Sequence, residues 1–312
     1  MVNKWLIINT LRNSHICTNK IKSITIDQSS ICSGRYAVTA RCNIDNSLDD
    51  MLIKCYLVRP RRAKLLYGSL YMKNELGIYK TDGTIEYIDV ALSNWVDGIP
   101  LNEIMEDPDS EHRLLSHNFD TLAYEVLTSQ RCHIDIKPDN IIVRSDDSMV
   151  LIDNDAIWYK RAILAQDADT ILAKYMDKNK YNAPKHETST HHSLAIVSTM
   201  LAALAHDYKG IIRTIEAGHL MDSNSRHYMQ AIERCISIFR VARDYDHLAI
   251  VEALSKNSLS YELLYNHIRK ILVMMQKVAL LRRELGAREI SFSLLIFSQL
   301  YPHCFEEIST TL

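Results

Sequence analysis

The apolar residues of this chain change their period once, and that change limits the folds open to it. Up to Asp97 the sequence is a series of short runs rich in β-branched and aromatic residues and broken by turn formers: "KSITI", "YAVTARCNI", "DDMLIKCYLV" and "IEYIDVALSNWV". Such runs read as strands, the last of them as two. Before that last run, "YMKNELGIYK" reads as a short helix. From Leu101 onward the apolar spacing is helical, interrupted at "NIIVRSDDSMVLID", where "SDD" between two apolar runs predicts a hairpin. Strands first and helices later predict an α+β fold with two lobes.

The boundary falls near Asp97 and Gly98. Residues 1–97 are expected to form a β-rich unit whose first 29 residues add a strand or helix, 98–255 a helical unit, and 256–312 a helical extension packed on it. In that extension Leu264, Ile268, Ile271, Met275 and Val278 recur at helical spacing, and Ile290, Leu294, Phe297 and Tyr301 make a second stripe. Both read as packing faces.

At 312 residues the chain can bury a sizeable core, and 47% hydrophobic with 24% charged residues is ordinary for a soluble protein. A net charge of -2 offers no electrostatic argument for nucleic acid or an acidic membrane surface, so neither is expected as a partner. "LAIVSTMLAALA", Leu194 to Ala205, is too short to span a bilayer and reads as a buried core helix. "MVNKWLIINTLRN" has too short an apolar core for a signal peptide, so the cytoplasm is the expected location. The seven cysteines include no C-x-x-C pair and read as reduced, mostly buried thiols. Cys132 beside His133 is not read as a reactive pair, because sequence neighbours rarely face one another usefully.

The chemistry lies in "HIDIKPDNIIV", His133 to Val143, and in Asp153 of "LIDNDAIW", thirteen residues after Asn140. An Asp, a Lys and an Asn on one short loop, with a second Asp after an apolar run, suit the transfer of a phosphoryl group from a metal-held nucleotide. Such transfer has a loose transition state, so the protein mainly positions groups and neutralises charge. Asp135 would orient the acceptor hydroxyl and Lys137 would neutralise the moving group. Asn140 and Asp153 supply hard oxygen ligands for Mg2+. His191 and His192, adjacent on a helix, read as surface or capping residues rather than metal ligands.

These residues resemble the catalytic loop of the protein-kinase superfamily, H-R-D-x-x-x-x-N, with Lys137 and Pro138 similar to its serine/threonine form. The resemblance covers about Ser30 to Ala205. It implies a two-lobed kinase-like fold, β-rich then helical, with ATP and Mg2+ in the cleft. "MLIKCYL" is similar to the family's V-A-I-K strand, which implies that Lys54 pairs the nucleotide phosphates. "CSGRYAVT" resembles a worn Gly-rich loop in which Gly34 alone of the three glycines remains. Glu75 is then the implied helix carboxylate for Lys54. "LSNWVDGIPL" resembles the hinge, with Ser93 as a small gatekeeper and the Asn94 carbonyl and Val96 N–H meeting the adenine edge.

The chain departs from the family's pattern in several places. The D-F-G motif reads Asp153-Asn154-Asp155, and Asp155 supplies a second carboxylate near the metal, as in small-molecule kinases of this kind. Ile134 replaces the loop Arg, "YNAPK" resembles A-P-E with Lys185 for Glu, and Thr190 stands where the central helix usually carries Asp. The implied activity is phosphorylation of a protein serine or threonine. A sugar or alcohol kinase of the same fold is the alternative that Asp155 favours. A nucleotide-binding pseudokinase scaffold is the one that the worn Gly-rich loop favours. The acids Glu103, Glu106, Asp107, Asp109 and Glu111 read as a solvated helix face before a substrate-attracting patch.

Overall fold

A computed structural model of the chain describes residues 3–13, 15–34, 36–45, 47, 49–58, 67–129, 131–153, 155, 157–159, 186–223, 225–273 and 277. The protein is mixed α+β and divides into two compact units, Met1–Asp97 and Gly98–Leu312. The A-P-E-like "YNAPK", Asn154, Met275, Val278 and the stripe from Ile290 to Tyr301 lie outside the described residues.

The first unit is an antiparallel sheet with a helix on one face. Helix α1 (Lys4–Leu11) starts at Asn3, whose side chain accepts from the Trp5 amide at 2.9 Å. The strands are β1 (Ile24–Ile26), β2 (Cys32–Ser33), β3 (Ala37–Ile44), β4 (Met51–Tyr56), β5 (Tyr71–Tyr79) and β6 (Ile85–Asn94). They are ordered β1-β3-β4-β6-β5, with β2 also on β3. Alternation sends Val38, Ala40, Ile53, Cys55, Val90 and Leu92 into one core with Ile7, Ile8 and Leu11 of α1. Each fully buried Ile or Leu there contributes about 1.5–3 kcal/mol before entropy costs.

Two local expectations are corrected. "YMKNELGIYK" is strand β5, not a helix. Its register shifts between Met72 and Leu76, and Asn74 sits at φ 50°. This bulge breaks the two-residue alternation, so the apolar spacing imitates a helix. "IEYIDVALSN" is one ten-residue strand rather than two, because Asp89 in its middle is buried and bonded instead of marking a turn.

The second unit opens on Gly98, whose φ is 146°. A Cβ there would lie 2.3 Å from the Val143 carbonyl oxygen, so only glycine lets β7 (Ile99–Pro100) pair with β9 (Ile141–Val143). The "SDD" hairpin forms as expected: β9 pairs antiparallel with β10 (Met149–Leu151), and Asp147 takes the left-handed turn position. A separate pair joins β8 (Arg131–His133) to β11 (Ile157–Tyr159).

Helices α2 (Leu101–Glu106), α3 (His112–Thr128), α4 (His186–Glu216), α5 (Tyr228–Ala242) and α6 (Tyr245–Ser255) surround these strands, and α7 covers 261–273. Helix α4 is the buried core helix the sequence predicts, with Leu194, Ala195, Val197, Met200 and Leu201 fully enclosed. It breaks at Asp207, whose carboxylate accepts from the Gly210 amide at 2.9 Å. Leu264, Ile268 and Ile271 of α7 are buried. His192 is buried too, which corrects its reading as a surface residue, while His191 rests on the Tyr261 ring at 5.1 Å. All the acids from Glu103 to Glu111 are exposed. Cys42, Cys55, Cys132 and Cys235 are buried and in no disulfide, and burial pushes Cys42 and Cys235 up to about 12.

A polar network crosses the core of this unit. Asp244 caps α6 and its carboxylate takes His247 Nδ1 at 2.8 Å and His206 Nε2 at 3.0 Å. His247 Nε2 lies 3.5 Å from Ser198 Oγ. The order Ser198, His247, Asp244 is that of a nucleophile, base and orienter, yet Ser198 lies in mid-helix and is only 1% exposed, as a core residue is. Burial opposes ionisation of Asp244, but the histidines overcome it and hold the carboxyl well below its usual range. Burial likewise works against His247, and Asp244 outweighs it to raise the imidazole. Burial pushes the Asp120 carboxyl, on α3, up to about 6.

His267 faces the His247 ring edge-on at 4.5 Å, and neither of its nitrogens has a partner among the described residues. Burial first, then the charge of His247, brings its pKa down to about 3. The unfolded chain therefore binds a proton there below pH ~6.5 that the native state refuses, so this site loses stability as pH falls toward 3. His267→Phe is expected to remove about 2 kcal/mol of the stability change between pH 8 and pH 5. Urea unfolding of both proteins at the two pH values measures it. Equal slopes would show that His267 is not held neutral in the native state.

Candidate active site

The loop from His133 to Asn140 leaves β8 and turns through Pro138 into a short 3-10 segment before β9. Ile134 and Ile136 are fully buried and act as its apolar anchors. Ile134, standing where the resembling family has Arg, thus belongs to the interior. The Asn140 amide closes the turn on the Lys137 carbonyl at 2.9 Å.

Within this turn the predicted residues meet. Asn140 Nδ2 donates to the Asp135 carbonyl at 2.8 Å and to Asp135 Oδ2 at 2.9 Å. Lys137 Nζ lies 3.1 Å from the same Oδ2, with Lys137 and Asp135 side chains 15% and 7% exposed. One carboxylate oxygen carries both donors. The other, Oδ1, is buried and has no hydrogen-bond partner among the described residues. A charged oxygen in that condition is costly unless something else uses it.

Hydrogen bonds tie the loop to its surroundings. His133 Nε2 donates to the Ile152 carbonyl at 3.0 Å, which fixes the tautomer. Burial, opposed by the nearby Asp153 charge, keeps His133 below its ordinary range and therefore neutral at pH 7. The Ile152 amide returns to the Asn140 carbonyl at 2.9 Å. Thr190 of α4, 2% exposed, donates its hydroxyl to the His133 carbonyl at 3.2 Å. The short threonine thus ties the central helix to the loop where the resembling family has an acid.

Asp153 follows β10 with φ 66°, a left-handed conformation that Asp tolerates and most residues do not. Its side chain and that of Asp155 are half-buried. Asn140 spends its Nδ2 on Asp135 and leaves Oδ1 uncommitted by those bonds. Among the described residues no three His, Cys, Asp or Glu side chains gather to hold a metal by themselves.

The first unit carries the other predicted residues. Lys54 lies on β4 between Thr39 of β3 and Ala91 of β6, and its ammonium sits 5.9 Å from the centroid of the Tyr56 ring. Gly34 ends the short β2–β3 hairpin, and its amide donates to the Ala37 carbonyl at 2.9 Å. That N–H is spent within the hairpin, and a Cβ at Gly34 would meet nothing closer than 3.5 Å. Asn94 is the last residue of β6 and is exposed; Val96, half-buried, follows in extended chain.

Glu75 does not sit on a helix. It is fully buried on β5, and its Oε1 accepts from the Lys20 amide at 2.7 Å and the Ile21 amide at 2.8 Å. Its work is to fasten the segment at Thr18–Ile21 along β5, beside the Thr18–Leu76 bridge. The residue that sequence reasoning missed is Asp89. It is 4% exposed, takes a short hydrogen bond from the Tyr71 hydroxyl, and accepts from the Asn74 amide at 2.9 Å. Its signal was present: one carboxylate in the middle of the apolar "YIDVAL". No protein-family model matches the chain, and no curated protein matches it significantly.

Proposed function

We propose that the protein is an ATP-dependent phosphotransferase that uses Mg2+ and acts on a protein serine or threonine. The observation that carries this reading is the Asp135 carboxylate. One oxygen is clamped by Lys137 and Asn140 while the other is buried without a partner among the described residues. That is the arrangement of a base awaiting an acceptor hydroxyl, with a cation beside it for the transferring charge. The two-lobed kinase arrangement, the adenine contacts of Asn94 and Val96, and the phosphate contact of Lys54 belong to the same proposal. Asn140 and Asp153, with Asp155, would hold Mg2+, which when bound would supply positive charge against the phosphates. Asp155, half-buried two residues beyond Asp153, favours a small alcohol or sugar as the acceptor in a second reading.

Incubation of the purified protein with labelled ATP and Mg2+, with a generic basic protein or with a panel of sugars and alcohols, tests both. Label on protein supports the first acceptor and a labelled small product the second. No label in either case would end the catalytic reading. Lys54→Met is expected to lower turnover at least about tenfold through lost phosphate binding, with an unchanged thermal melt. Turnover equal to wild type would remove Lys54 from the site.

A further inference from the structure

Glu75 gives its Oε1 to the Lys20 and Ile21 amides, so the carboxylate that serves Lys54 is sought on that lysine's own side of the sheet. The register names the residues on that side. Lys54 stands opposite Ala91, and Ala91 opposite Tyr71. Alternation puts Tyr56 beside Lys54 on β4, and Asp89 beside Ala91 on β6, all on the face away from α1. The last recorded pair of that ladder is Cys55 with Val90. One step on, Tyr56 stands opposite Asp89, which makes Asp89 the diagonal neighbour of Lys54, within reach of a long side chain.

Side-chain contacts run along the same line. The Lys54 ammonium lies over the Tyr56 ring at 5.9 Å. Tyr56 meets Tyr71 edge-on at 6.4 Å. The Tyr71 hydroxyl donates to Asp89 Oδ2, and the Asn74 amide holds Oδ1 at 2.9 Å. Tyr56, Tyr71, Ala37 and Ala91 form a small buried cluster of their own, apart from the helix-covered core. The β5 bulge is what turns the Asn74 amide onto Asp89, so the irregularity that obscured the strand in the sequence also fixes this carboxylate.

We propose that Asp89, and not Glu75, is the carboxylate that positions the Lys54 ammonium, with Tyr56 and Tyr71 as the walls between which that ammonium is held. The consequence for catalysis rests on the phosphotransferase reading: Asp89 is a positioning residue that keeps Lys54 charged and aimed for phosphate. It also replaces a helix-borne acid by a strand-borne one, so this lysine's setting is built into the sheet.

The test separates the two levels. Competitive acylation of Lys54 between about pH 7 and pH 12, read by peptide mass spectrometry on the folded full chain, gives the titration of that one amine. Asp89→Asn removes the charge and keeps one acceptor oxygen, for the Asn74 amide, while its NH2 can donate to the Tyr71 hydroxyl oxygen; the Lys54 midpoint is expected to fall by about one pH unit or more. Glu75→Gln is expected to leave it in place. Tyr71→Phe, which frees Oδ2 of its donor, is expected to move it upward and serves if Asp89→Asn does not fold. A midpoint unmoved by Asp89→Asn or by Tyr71→Phe, or moved as far by Glu75→Gln, overturns the assignment. If the wild-type protein transfers no phosphate, the catalytic reading fails while the labelling still decides which acid holds Lys54. If it does, Asp89→Asn is expected to weaken Mg-ATP binding about tenfold, with the smaller change in kcat.

Discussion

Asp135→Asn is expected to slow phosphoryl transfer by about 10²–10⁴-fold at saturating nucleotide and to leave Mg-ATP affinity almost unchanged. The substitution suits the site because the side chain is nearly isosteric. Its oxygen still accepts from Asn140 Nδ2, now at 2.9 Å from Oδ2. The turn has independent support from the His133–Ile152 and Thr190–His133 bonds and from buried Ile134 and Ile136, so the loop should keep its shape. What disappears is the negative charge and the ability to take a proton. An interaction made mainly in the transition state shows in turnover and not in ground-state binding. Calorimetric affinity beside single-turnover transfer reads both quantities. Loss of affinity with a surviving rate would make Asp135 a structural or metal residue and would sink the reading of "HIDIKPDN".

Asp153→Asn is the second large effect. The part of ATP binding that depends on Mg2+ is expected to fall about 10²-fold or more, because a neutral amide replaces a hard anionic ligand. The backbone gives no competing explanation: Asn accepts the left-handed φ of 66° as readily as Asp does. Thermal shift by ATP with and without Mg2+ measures the change. On the proposed reading Asp155, two residues on and half-buried, would be the reserve ligand. Residual Mg2+ dependence in Asp153→Asn should vanish when Asp155→Asn is added. A response to Mg2+ equal to wild type in Asp153→Asn would take that aspartate out of the metal site.

The meeting of the loop's side chains was legible in the sequence because their contacts are local. Asp135, Lys137 and Asn140 lie within one turn, and their bonds to each other span at most five residues. The hairpin after it was legible for the same reason, since "SDD" sets its own left-handed turn at Asp147. Glu75 was misread because its partners, Lys20 and Ile21, stand more than fifty residues away and its strand carries a bulge that mimics helical spacing. Gly34 kept the look of a phosphate loop, but only the folded hairpin shows its amide spent on Ala37.

By itself the sequence determined the change from strand to helical spacing near Asp97, the buried stripe of α4 and the clustering of Asp135, Lys137 and Asn140. Each of these depends on short-range periodicity or on turn chemistry that a few neighbouring residues dictate. The tertiary structure alone decided which acids are buried and what they face. Asp89 joins Tyr71, and Asp244 joins His206, through ladder register and helix packing across tens of residues. Burying a charge is costly unless a partner is present, and where that partner comes from is a property of the assembled sheet and core, not of the neighbouring letters.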